Sequence, residues 1–145
     1  MDLETKEVDI KLISRQFDGE DKEETEVLSQ GIFGTTDEGF YIEYEESEAT
    51  GYEGSVTRLE TFGNEKVMMS RSGTVTSNMI VHLGEKHHCV YGTLFGNFEV
   101  GVAAKKINVK LDENGGTLFF SYVVDVNSSY IGDFEISVEI KPRNP

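Results

Sequence analysis

The chain has 145 residues, one cysteine and a formal net charge of -14, from 27 acidic against 13 basic side chains. That length fits one domain, whose core can bury roughly 70% of the surface an unfolded chain exposes, so no disulfide or metal is needed to hold it. The charge repels phosphate backbones and anionic membranes, so neither nucleic acid nor a membrane is expected as a partner.

The lone Cys89 excludes an intrachain disulfide, and the N-terminal MDLETKEVDI has neither the basic nor the apolar region of a signal peptide. No run approaches the roughly 20 apolar residues of a membrane helix. A soluble protein of a reducing, cytoplasmic compartment is expected.

There are 15 glycines and 2 prolines, and between the glycines lie runs rich in Val, Ile, Thr, Phe and Tyr. Many short strands joined by tight turns give this texture. In chain order, a first strand over 5–16 alternates Val8, Ile10 and Leu12 against Asp9 and Lys11. The acidic DGEDKEETE at 18–26 reads as an exposed loop leading into a second strand over 24–34. Further strands are predicted over 38–47, 53–62, 65–71, 74–83, 86–94, 96–111, 115–127 and 132–141. The strand over 96–111 is expected to bend between Gly101 and Lys106. FGNEK and LGEKH supply turns, and DENGG at 112–116 is the strongest hairpin signal, because Asn-Gly tolerates positive φ.

About ten sequential strands with short connections form a meander, and closing it into an up-and-down barrel removes its two exposed edges. The predicted fold class is therefore all-β, one domain over 1–145, an antiparallel barrel of about eight to ten strands.

The more apolar parity of each strand marks the interior. It places Thr57, Leu59 and Thr61, then Val67, Met69 and Arg71, on the inner face; over 40–46 both parities compete, Ile42, Tyr44 and Glu46 against Tyr41, Glu43 and Glu45, and the first set is taken as inner because Ile42 leads it. Later strands add Val75, Ser77, Met79 and Val81, then Cys89, Tyr91 and Thr93, then Phe98, Val100 and Val102. Leu118, Phe120, Tyr122, Val124 and Val126 complete the list.

The informative stretch is VMMSRSG at 67–73, which carries Arg71 on the face that Val67 and Met69 otherwise make apolar. A buried charge without a partner is very costly. Three arrangements relieve that cost. Arg71 pairs with a carboxylate such as Glu46 or Glu43, it waits with tyrosine hydroxyls for an anionic ligand, or it reaches water at a barrel mouth.

At these residues the sequence resembles a known family. YIEYEE at 41–46, TGYEGSVTRLE at 50–60, KVMMSRSG at 66–73, NMIVHLGEKHHCVYGTLFGNFEVGV at 78–102 and GGTLFFSYVVDVN at 115–127 carry the resemblance. It is to the bacterial YwiB-like family, a domain of unknown function, and covers the chain from about Val8 to Lys141. Thr57, Leu59, Arg71, Gly73, Met79, Gly84, Tyr91, Thr93 and Gly96 fall in the family's order, whereas Leu94 stands where members often carry proline after the threonine. The resemblance implies a calycin-like barrel related in shape to lipocalins, and it implies no activity.

A metal site would have to use His82, His87, His88 and Cys89; across a five-residue LGEKH loop His82 and His88 face each other, and Glu85 could supply a further ligand. Cys89 would point away from them. Without a ligand-spacing motif, solvated histidines at a hairpin tip are the preferred reading, and no metal or cofactor is expected. No nucleophile elbow, phosphate loop or dinucleotide fingerprint occurs, so no enzyme is expected.

The expected role is binding of a small apolar or anionic ligand inside the barrel. Arg71, Tyr91, Tyr122, Thr57, Thr93, Tyr44 and Glu46 are the candidate ligand-binding residues. The alternative is a filled barrel that meets a basic protein partner, or a second copy of itself, through its acidic surface. A filled interior with Arg71 paired to Glu46 would favour the alternative.

Overall fold

The computed structural model describes residues 5–47, 53–73, 77–93 and 96–143; within them the side chains of Asp18, of 89–93 and of Asn97 lie outside the description. Ten strands follow one another: β1 (Thr5–Asp18), β2 (Asp21–Thr35), β3 (Phe40–Glu45), β4 (Ser55–Phe62), β5 (Lys66–Gly73), β6 (Ser77–His82), β7 (Lys86–Thr93), β8 (Gly96–Asp112), β9 (Gly115–Val126) and β10 (Ser129–Pro142). All the pairings are antiparallel, in the order β6-β5-β4-β3-β2-β1-β10-β9-β8-β7. Chain neighbours are sheet neighbours except β6 and β7, and β1 meets β10, so the meander curls into a nearly closed barrel. No helix among the described residues is long and apolar enough to cross a membrane.

The seam lies between β6 and β7. The turn that joins them bridges it, through an antiparallel bridge His82–Glu85 and a parallel bridge Leu83–Ala104. Beyond Ala103, β8 has outrun its partner β7. The β4–β5 turn covers part of that edge, with the Val109 amide donating to Asn64 Oδ1 at 2.9 Å and the Leu83 amide to the Glu65 carbonyl at 2.8 Å. A bare edge of unpaired amides would otherwise offer itself to another chain.

Every predicted strand is present. One expectation is corrected: the acidic stretch 18–26 is not a loop. Gly19, at φ 63°, closes a tight turn, and β2 begins at Asp21, paired with Asp18. Arg15 reaches across to Glu24 at 2.7 Å, so long strands carry the acids outward while the ladder continues beneath them. The predicted bend in β8 is a bulge: the register against β9 shifts between Ala104 and Lys106. It exchanges parity, so that Val102 is buried before it and Ile107 after it. The DENGG turn takes its positive φ at Gly115 and Gly116, whereas the β9–β10 turn uses Asn127 at 50° and Ser128 at 71°.

One half of the barrel is solid. Val8, Phe33, Ile42, Leu59, Val67, Val81, Leu118 and Ile140 are all buried, toward the end that carries the β2–β3, β4–β5 and β8–β9 turns. The interior parity of Thr57, Leu59, Thr61, Val67 and Phe120 is as expected, since each is at most 2% exposed. Phe98 is a correction, at 36% exposed. Pairing of β8 with β9 starts only at Val100, so Phe98 lies past the end of its cover. Val75 falls outside the described residues.

Candidate functional site

The other half of the barrel is hollow. A cavity of about 420 Å³ opens toward the end that carries the β1–β2 and β9–β10 turns. Met69 and Met79 on β5 and β6 form one wall, and Leu12, Val27 and Ile136 another. Tyr122 and Phe134 complete it as stacked rings with centroids 5.3 Å apart, and Tyr122 stacks on Phe120 behind at 5.9 Å. The walls are apolar and aromatic, as small-molecule sites usually are.

Its polar side is built by strand register. Tyr44 lies opposite Thr57, and Thr57 opposite Arg71, so β3, β4 and β5 place these three in one cross-strand row on the inner face. Glu46 follows two residues after Tyr44, held by its own amide to the Ser55 carbonyl at 2.8 Å. Arg71 is paired with Glu46, not with Glu43. Arg71 Nη2 lies 3.3 Å from Glu46 Oε2, and Nε donates to Oε2 at 3.3 Å and to Thr57 Oγ1 at 3.1 Å. The Thr57 hydroxyl in turn donates to the same Oε2. Glu43 faces outward and takes Arg58 at 3.0 Å, while that guanidinium lies 4.0 Å over the Tyr41 ring.

Among the described residues, the groups that reach the Glu46 carboxylate reach Oε2. Its other oxygen, Oε1, is buried and meets no hydrogen-bond partner among the described residues. The carboxylate is only 2% exposed, against 17% for the Arg71 side chain. An unsatisfied buried carboxylate oxygen costs free energy that a donor would recover.

Burial pushes the Tyr44 phenol well above its ordinary value, and the Glu46 charge adds to this; the Arg71 charge and a hydrogen bond with Thr57 pull the other way. Tyr44 therefore keeps its proton and serves as a neutral hydroxyl.

Of the predicted site residues, Tyr44, Glu46, Arg71 and Tyr122 meet around this cavity. Thr57 sits fully buried behind them, where it orients Glu46 and Arg71 and lines nothing. Tyr91 and Thr93 lie on β7, opposite Phe98 and Gly96, and their side chains fall outside the described residues. Sequence reasoning missed Ser14, Thr25, Phe134 and Ile136 as lining residues, and placed Ser77 on the inner face without giving it a role. Extending the parity of Leu12 to Ser14 would have found the first of them. A second, shallower depression of about 580 Å³ lies outside, over Lys11, Leu28 and Lys141, but no buried polar group points into it.

The predicted His82–His88 pair is corrected. The turn is shorter than expected, so His87 faces His82, with His82 Nδ1 3.1 Å from His87 Nε2. His88 points elsewhere, 3.8 Å from Glu99.

A ten-stranded meander barrel with a half-hollow, charge-lined interior is the class this fold and site define. Residues 10–138 match the family described as Domain of unknown function (DUF1934), and the chain belongs to that family. The fold is similar to the crystal structure of the ywiB protein from Bacillus subtilis, with a TM-score of 0.72 and 21% identity over 94% of each chain. No curated protein matches the sequence.

Proposed function

We propose that the barrel is a non-enzymatic binding protein that takes one small, largely apolar ligand into its open half. The observation that carries this is Glu46 Oε1, a buried acceptor without a partner among the described residues, on the side of a cavity of about 420 Å³ walled by Met69, Met79, Tyr122 and Phe134. The volume falls near the low end of the roughly 300–1,000 Å³ usual for ligand sites. Arg71 and Glu46 already neutralise each other, which favours a head group that donates a hydrogen bond, such as a hydroxyl or amide, over a bare anion. An anionic head would have to take Arg71 from Glu46.

The competing reading, a filled barrel that meets a basic partner or a second copy through its acidic exterior, draws support from the packed half and from the Arg71–Glu46 pair. The hollow half weighs against it. Charged residues such as Arg15, Glu24, Glu43 and Arg58 face outward and the apolar ones inward, the reverse of a barrel that sits in lipid. With a single Cys89, nothing in the chain calls for an oxidising compartment, and we place the protein in the cytoplasm.

Thermal shift and calorimetry with medium-chain fatty alcohols, acyl amides and fatty acids test the proposal. Alcohols or amides should raise Tm, and Met69→Trp, which fills the cavity, should remove the effect while the variant still folds. Tighter binding of the acids would return the role to Arg71. No shift with any of them, or an unchanged shift in Met69→Trp, would reject the ligand site.

A further inference from the structure

At the packed end, the β6–β7 turn gathers a second group of side chains. His82, Leu83, Gly84 and Glu85 form a tight turn, with the Glu85 amide donating to the His82 carbonyl at 3.4 Å and Gly84 at φ 81°. The turn sets Glu85 opposite His82. His87, two residues along the strand, returns to the face of Glu85.

Three atoms converge. His82 Nδ1 lies 2.9 Å from Glu85 Oε2 and 3.1 Å from His87 Nε2, and His87 Nε2 lies 3.4 Å from the same Oε2. Hydrogen bonds can satisfy two sides of this triangle, and a shared ion would satisfy all three. Zinc bonds of about 2.0–2.1 Å in tetrahedral geometry set neighbouring ligand atoms about 3.3 Å apart. The His82 and His87 rings are 5.3 Å apart, with their planes 20° from parallel.

We propose that His82, Glu85 and His87 form a binding site for one divalent transition-metal ion of the zinc class, with a fourth position left to water. Two imidazoles and one carboxylate suit such borderline ions and not calcium or magnesium, which take oxygen. The net charge of -14 raises the local concentration of cations. The site also spans the seam of the barrel at the turn that bridges β6 and β7, so the ion clips the two strands together.

The test uses the full chain, stripped with a chelator and titrated with zinc by calorimetry. One ion per chain should bind, and cobalt should give the visible spectrum of a four-coordinate ion. His82→Ala and His87→Ala should each weaken zinc binding beyond the roughly 10- to 100-fold carried by outer-shell partners. His88→Ala, on the other face, should leave it unchanged. Glu85→Gln, at a side chain 62% exposed, tests the third ligand without risk to the fold. Absence of saturable binding, binding that survives loss of His82 or His87, or equal weakening by His88→Ala would overturn the proposal.

Discussion

Arg71→Leu is the most informative single change in the interior. Arg71 and Glu46 approach to 3.3 Å, and at an effective dielectric constant of about 20 their attraction is about 5 kcal/mol. Desolvation of both groups offsets much of that, so the pair is worth little against two apolar residues of similar size. Removing one member is a different matter, because the other keeps its burial penalty. With Arg71 gone, Glu46 remains 2% exposed and loses its cation, and a cost of about 3–5 kcal/mol follows. A domain of this kind has roughly 5–15 kcal/mol in total, so the variant folds but with a much reduced margin. The converse change should cost less. Arg71 is 17% exposed, and in Glu46→Gln its guanidinium can shift toward water at the mouth. The double variant Glu46→Leu/Arg71→Leu should recover most of the loss. Equilibrium urea unfolding measures all three. A loss below about 1 kcal/mol for Arg71→Leu would refute the reasoning, as would Glu46→Gln proving the costlier change.

Other consequences follow from particular positions. Phe120 is 0% exposed, and Phe120→Ala should cost about 3–5 kcal/mol by the same unfolding assay. Gly31→Ala would set a Cβ 2.1 Å from the Glu43 carbonyl oxygen, so it should break the β2–β3 ladder and cost about 2 kcal/mol or more. Ser128 holds φ 71°, and Ser128→Gly should relieve that strain and stabilise by roughly 0.5–1 kcal/mol. Tyr44, whose folded pKa is raised, contributes stability that is fully present below the unfolded phenol value and is lost as pH rises above it. Ultraviolet titration should show an ionisation step coupled to alkaline unfolding that Tyr44→Phe removes, and Tyr44→Phe should flatten the decline in stability above about pH 10.

Much of this was legible in the sequence because period-two alternation fixes both the strands and their faces. The inner placement of Tyr44, Glu46, Thr57 and Arg71 came from parity, and three strands in register bring them together. Length of pairing was not legible. The run 18–26 is so acidic that it reads as a loop, yet β1 offers a partner for every residue from Asp21 onward, and ladder hydrogen bonds are indifferent to the charge of outward side chains. Turn length was equally hidden: a two-residue turn in place of the expected five-residue one sets Glu85 opposite His82 and brings His87, not His88, to the same face. Whether a barrel is hollow depends on side-chain volumes summed across ten strands. Here Phe33, Leu59 and Leu118 fill one end, while Ser14, Thr25 and Ser77 leave the other open. Turns at Asn127 and Ser128 carry no glycine, so the usual hairpin signal was absent.

Native mass spectrometry of the freshly purified protein, set beside its denatured mass and repeated with Met69→Trp, tests the central claim most directly. The account predicts an added mass of one small, neutral, hydroxyl- or amide-bearing molecule that disappears on denaturation and is missing from Met69→Trp. A bare mass in both proteins, unchanged after incubation with medium-chain alcohols, amides and acids, would contradict it.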